Sequence, residues 1–216
     1  VTVYDMMKKM GGMLRYGIPQ YRLPKEVLDK EIAIIEKLGV KMINGVKLGK
    51  DFTVASLKAQ NDAVIVAVGA WKSSSMRTPG EELDGIYGGI DFLRAVALKQ
   101  EINIGDKVVI CGGGNTAMDV ARAAKRIPGV ENVRLIYRRT KRYMPADEEE
   151  LQLAIEDGVE FLELLAPVGA ENGKLKCSVM ELGAPDASGR RSPVDTGRTE
   201  EYPADTIIAA IGETID

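Results

Sequence analysis

Gly112, Gly114 and Ala117 fall at the spacing G-x-G-x-x-A inside "KVVICGGGNTAMDVARAAKR", between an apolar run and a helix-like stretch. That pattern suits the binding of a pyrophosphate. Gly112 makes a tight turn out of a strand, Gly114 lets the backbone approach the phosphates, and Ala117 is small enough for helix to pack on strand. Gly113, Asn115 and Thr116 complete the turn. The helix amino terminus then directs free N–H groups and a positive dipole end at the anion. A glycine turn that binds nothing is the alternative for a lone motif. Here "ENVRLIYRR" follows as a second strand, which makes a βαβ unit of about 30 residues and favours a nucleotide.

The end of that second strand selects the cofactor. An NAD-binding unit usually carries Asp or Glu there, accepting hydrogen bonds from the ribose 2′-OH. This chain has Arg138 and Arg139, 24 and 25 residues after Gly114. A guanidinium fork binds a 2′-phosphate that a carboxylate would repel. The expectation is NADP(H) rather than NAD(H), with a solvated basic strand end as the alternative.

Composition removes other chemistries. Among 216 residues there is no histidine, which excludes histidine acid–base catalysis, histidine triads and histidine-ligated metal. Two cysteines, Cys111 and Cys177, are too few for an iron–sulfur cluster; they fit a reducing cytoplasm. A net charge of −3 gives no general pull toward nucleic acid or anionic membrane. No apolar run approaches the ~20 residues of a membrane span. Cys111 beside the turn reads as a small packing residue. Glu148, Glu149 and Glu150 read as charge favourable to a helix amino terminus, the alternative being that one of them meets the nicotinamide.

The elements around the turn read as α/β. "VTVYD" is a strand, "LPKEVLDKEIAIIEKLG" an amphipathic helix with Pro24 in its first turn and Gly39 as its stop. Val27, Ile32, Ile35 and Leu38 recur at helical spacing on it. Short strands are expected near Val40–Ile43 and Phe52–Val54. "DAVIVAVGA" and "DTIIAAIGE" echo each other as strands buried on both faces. "KSSSMRTPGEELDGIYGG" has a connector's composition, and "IDFLRAVALKQ" and "DEEELQLAIEDG" are helices. Lys174 to Asp205 alternates short strands with turns, a β-meander.

Four stretches, "GGMLRYGIPQYRLPKEVLDKEI", "CGGGNTAMDVARAAKR", "YRRTKRYMPA" and "ELGAPDASGRRSPV…ADTIIAAIGET", resemble one family across essentially the whole chain. This is the glutamate synthase small (beta) subunit group, with the NADPH-dependent ferredoxin oxidoreductases and the amino-terminal half of dihydropyrimidine dehydrogenase. The resemblance implies a Rossmann-like FAD/NAD(P)-binding fold, a parallel sheet with helices on both faces plus a meander, and part of a second nucleotide-binding domain. Residues 1–75 would be a partial FAD-binding domain, 76–100 a connector, 101–212 the NADPH-binding domain, and 213–216 the return to the FAD domain. Gly212, in the second Ala-x-Gly strand, joins the NADPH residues. Asp5 would hold the FAD adenine ribose, Gly12 and Met13 lie in a loop beside the flavin, and Gly69 marks the first crossing between domains.

The family's own first strand–glycine turn–helix and its later Gly-Asp segment are not in this sequence. The chain therefore resembles the middle of a flavoprotein, expected to be inactive alone. The implied activity is hydride transfer from NADPH to FAD, with no catalytic side chain assigned. Electrons would then pass to iron–sulfur clusters outside this chain, in a partner domain or subunit. A non-catalytic nucleotide-binding or interaction module is the alternative for the segment itself.

Overall fold

The computed structural model describes residues 1–187 and 189–215. The chain divides into two units, Val1–Gly69 and Ala70–Asp216. In the first, β1 (Thr2–Asp5) is followed by α1 (Gly12–Tyr16), α2 (Lys25–Lys37), β2 (Lys41–Asn44) and α3 (Val54–Lys58). β1 and β2 pair in parallel, with Asp5 opposite Asn44. Pro24 is the amino-terminal cap of α2, and Gly39 follows its end at φ 87°, as the sequence predicts. Of the apolar face of α2 only Leu28 is buried, while Val27, Ile35 and Leu38 are exposed, because this unit offers a mere two-stranded sheet to cover.

Two strand expectations fail here. Thr53 does not continue a strand; its hydroxyl accepts from the Ser56 N–H and Ser56 Oγ accepts from the Thr53 N–H, both at 3.1 Å, starting α3. Such a reciprocal cap satisfies two amides that a strand would leave to a neighbour. "DAVIVAVGA" forms no ladder, and Ile65 is 90% and Val66 59% exposed. A doubly buried strand exists only between neighbours, and the described residues of this unit place none beside it.

The second unit runs β3 (Lys72–Ser73), β4 (Ile86–Gly88), α4 (Gly89–Ala97), β5 (Lys107–Gly112), α5 (Asn115–Lys125) and β6 (Asn132–Tyr137). It continues through α6 (Glu148–Glu156), β7 (Glu160–Glu163), β8 (Leu165–Glu171), β9 (Lys174–Pro185), β10 (Arg191–Pro203), β11 (Thr206–Ala210) and β12 (Glu213–Thr214). The main sheet has the order β4-β11-β5-β6-β7, all parallel. β8, β9 and β10 form an antiparallel sheet, the expected meander; Ser188 lies outside the described residues, as does Asp216 of the expected 213–216 return. Residues 76–100 are not a free connector, since they supply the edge strand β4 and the helix α4, whose Phe92 and Leu93 enter the core.

Alternate residues of the main sheet face two different cores. Val108, Ile110, Val133, Leu135 and Ile208 meet Phe92, Met118 and Ala154 of α4, α5 and α6. Val109, Cys111, Ile136 and Ile207 meet Leu165, Leu175 and Cys177 of the meander sheet. Helices thus cover one face and the meander the other, rather than helices covering both. Both faces being dry explains the unbroken apolar runs "VVIC" and "TIIAA".

α5 and α6 are clamped by charge. Asp157 Oδ2 accepts from Arg122 Nε at 2.7 Å and Arg126 Nη1 at 2.6 Å, and Glu150 Oε2 lies 3.5 Å from Arg122 Nη1. Burial pushes the Asp157 carboxyl up, but the hydrogen bonds from Arg126 and Arg122 outweigh it and hold the group below its usual range. A depressed folded-state value stabilises above the unfolded value, near pH 4, and is lost as pH falls through the folded value. Asp157→Asn leaves the buried Arg122 short of a counter-charge and is expected to cost roughly 2–3 kcal/mol at neutral pH. Urea unfolding should show that gap at pH 7 and its closure below about pH 4.

Candidate functional site

The strand order reverses at β5: β6 and β7 follow it on one side, β11 and β4 lie on the other. Ligands of open parallel sheets bind at such a switch point, outside the carboxyl ends of the strands. Gly112 ends β5 there, opposite Ala210 of β11. A Cβ on Gly112 would stand 2.1 Å from the Ala210 carbonyl oxygen and 3.1 Å from Ala117 Cβ. The first glycine of the motif is therefore required by the close approach of strand, strand and helix. Ala117 is fully buried in that contact.

Gly113 and Gly114 differ from it and from each other. A Cβ on Gly113 would strike the ring of Tyr137 at 2.5 Å. At Gly114, the amino-terminal cap of α5, a Cβ would meet no protein atom within 4 Å. No packing inside the protein demands glycine at 114. The Gly114 carbonyl accepts from Ala117 and Met118, and the N–H groups of Asn115 and Thr116 have no preceding turn to bond. These residues fit a pyrophosphate, with backbone amides as donors.

The Asn115 side chain has another employment. Its Nδ2 donates to Asp147 Oδ2 and its Oδ1 accepts from the Asp147 N–H, both at 3.1 Å. Ala146 N–H donates to the Gly113 carbonyl at 3.1 Å. The glycine turn is thus tied to the segment preceding α6. Tyr137 adds a second tie, its ring on Gly113 and its hydroxyl donating to the Tyr143 carbonyl at 2.8 Å. Neither Tyr137 nor Asp147 was singled out from sequence, where one is a strand residue and the other the start of an acidic run.

Arg138 and Arg139 follow β6 at the same sheet edge. Arg138 is exposed, and no bond to it is seen among the described residues. Arg139 Nε donates to the Arg191 carbonyl at 3.1 Å. Lys141–Tyr143 form a 3-10 turn just beyond, with the Arg142 guanidinium 5.9 Å from the centre of the Tyr143 ring. Of the acidic run in the first turn of α6, Glu150 turns to Arg122. Gly212, at φ 129°, lies two residues past Ala210, and its carbonyl accepts from Ser74 N–H at 2.9 Å.

In the first unit Asp5 ends β1, and its Oδ1 accepts from the Met7 N–H at 2.8 Å. Gly12 and Met13 open α1, with Gly12 at φ 49° and open space where a Cβ would be. The segment after β1 is held to α1 by Tyr16, whose hydroxyl donates to the Lys9 carbonyl and accepts from the Lys9 N–H at 3.1 Å each. Arg15 is buried against Asp29 and the Met10 carbonyl, and Lys25 Nζ donates to the carbonyls of Leu14 and Ile18. Gly69 closes the unit at φ 73°.

No thiol chemistry competes with the cofactor reading. Cys111 and Cys177 are free and buried. Burial pushes the Cys111 thiol far up, and pushes Cys177 up to about 12 with help from Glu200. Both therefore stay protonated at neutral pH and are poor nucleophiles. Among the described residues no cluster of three or more His, Cys, Asp or Glu could hold a metal, and no helix is long and apolar enough to cross a membrane.

A parallel sheet with a glycine turn at its switch point and a meander on its back defines a Rossmann-class dinucleotide-binding fold. The chain belongs to the pyridine nucleotide-disulphide oxidoreductase family, which matches residues 8–216. It is 41% identical over 227 residues to the NADPH-Fe(3+) oxidoreductase subunit beta of Geobacter sulfurreducens, covering 100% of this chain and 34% of that protein. It is 36% identical over 226 residues to the putative glutamate synthase [NADPH] small chain of Cereibacter sphaeroides, covering 98% and 54%. The chain thus spans between a third and about half of these relatives. Mycobacterium tuberculosis FprA in complex with NADPH superposes with a TM-score of 0.84 at 21% identity, over 98% of this chain and 63% of that one, a likeness of fold.

Proposed function

We propose that the chain is the NADPH-binding segment of a flavin-dependent oxidoreductase. The observation that carries the reading is Gly114, a glycine that no protein atom requires, at the amino terminus of α5 and followed by an exposed Arg138 with no bond seen among the described residues. The amides at the start of α5 would take the pyrophosphate, and Arg138 with Arg139 the 2′-phosphate. Gly112 would set the close packing of β5, β11 and α5 beneath the cofactor, and Gly212 would keep the neighbouring strand end free of a side chain. Asp5, Gly12, Met13 and Gly69 would contribute to an FAD site completed by the rest of the protein. Asp5 suits this because its second carboxylate oxygen has no bond to the protein among the described residues.

Bound NADPH supplies a hydride that FAD accepts, and the protein's part is orientation and electrostatics. No side chain of this chain has to move a proton for that transfer, so the lack of histidine is no obstacle. Electrons would leave singly to iron–sulfur clusters or a partner subunit outside the chain, in the cytoplasm. The names of the relatives, beta subunit and small chain, support such a partner. The reading is tested by mixing full-length protein anaerobically with NADPH or NADH and following the visible flavin band. NADPH is expected to bleach it, with NADH far less effective at equal concentration.

A further inference from the structure

The basic loop after β6 is held by groups that the cofactor reading does not use. The Leu164 N–H donates to the Arg139 carbonyl at 3.3 Å, and a Glu163 carboxylate oxygen accepts from the Lys141 N–H. Leu164 has φ 58°, in the left-handed region that a bulky side chain rarely adopts. Strain of that kind persists where the surrounding structure over-determines it, often beside functional sites. Here it turns the chain out of β7 and into β8 of the meander. Its N–H meets Arg139 while its carbonyl accepts from Met180 N–H at 2.7 Å. Glu163 pairs across the sheet with Tyr137, the last residue of β6, so its carboxylate starts from the same level as the loop it holds. The carboxylate is exposed to solvent, and its bond goes to backbone, not to a lysine head group.

We propose that Glu163 is a positioning residue for NADPH selectivity. It fixes the backbone at Lys141 so that Arg138 and Arg139 are presented together. A carboxylate beside a phosphate-binding loop is electrostatically adverse, so its presence there needs a compensating gain in order. This inference rests on the NADPH reading, and the two can fail separately.

The test compares Glu163→Ala with Glu163→Gln in the full-length protein, titrating NADPH and NADH. Glutamine keeps the accepting oxygen and drops the charge; alanine drops both. Positioning predicts that alanine weakens NADPH roughly tenfold. It predicts that glutamine stays within about twofold of the parent or binds tighter, with NADH and the melting temperature unmoved in both. Tighter NADPH binding by both variants would mean that Glu163 only repels the phosphate, and would overturn the proposal. Equal weakening of NADPH and NADH by alanine, with a lower melting temperature, would show a merely structural residue and overturn it as well. A parent protein with no NADPH preference overturns both the cofactor reading and this one; a preference intact in parent and alanine variant overturns this one alone.

Discussion

Replacing Arg138 by alanine is expected to raise the NADPH dissociation constant by roughly 10- to 100-fold while leaving that for NADH within about twofold. A hydrogen-bonded charge pair contributes about 1.5–3 kcal/mol, and each 1.4 kcal/mol is a factor of ten in affinity. The fold should not register the change, because Arg138 is exposed and no bond to it is seen among the described residues; such surface substitutions stay within about 0.5 kcal/mol. The NADPH deficit should shrink as salt rises, since an exposed charge pair is screened within about 10 Å at 0.1 M. Arg139→Ala would be harder to interpret, because its Nε also holds the Arg191 carbonyl. Titration by quenching of the reduced cofactor's fluorescence checks all of this. An unchanged NADPH/NADH ratio for Arg138→Ala would remove the 2′-phosphate assignment.

The glycines of the turn should part company when each is given a methyl group. Gly112→Ala puts a Cβ 2.1 Å from a backbone carbonyl oxygen of the neighbouring strand, an atom that cannot swing aside. Overpacking of this kind typically costs about 1–3 kcal/mol, and more where backbone must move. On the order of 3 kcal/mol is expected here, together with loss of NADPH binding as β5 and β11 separate. Gly114→Ala meets nothing and should melt with the parent protein. On the proposed function its methyl group would crowd the pyrophosphate, so NADPH binding should weaken by tenfold or more while the fold is intact. Thermal melts paired with titrations distinguish them. If Gly114→Ala bound NADPH like the parent, the turn would be a packing device only.

The motif alone assigns Gly112 to the turn and Gly114 to the phosphates; the atoms that a methyl group would meet come from the structure. The sequence locates strand, turn, helix and second strand, because the apolar run, the glycines and the helical spacing all act over a few residues. Lys107–Gly112, Asn115–Lys125 and Asn132–Tyr137 appear where that logic puts them. What it cannot supply is register between distant segments. Tyr137 packing on Gly113, Asp147 pairing with Asn115, and Glu163 reaching Lys141 all depend on how β6, α6 and β7 are stacked.

The same limit explains the errors. "DAVIVAVGA" has the composition of a buried strand, but composition does not provide neighbours, and Ile65 stands exposed. At Phe52–Val54 the reciprocal bonds between Thr53 and Ser56 start a helix instead. Residues 72–89 look like a connector by their Ser, Gly and Pro, yet Ile86–Gly88 needs only three residues to close the sheet edge beside β11.

On the proposed function this chain delivers NADPH to a flavin, with selectivity set after β6. The most direct measurement is the rate of flavin bleaching in anaerobic full-length protein mixed with NADPH or NADH at matched concentrations below saturation. Rapid bleaching by NADPH is expected, with a rate at least tenfold lower with NADH. Equal rates with the two cofactors, or no bleaching by either in protein that carries its flavin, would contradict it.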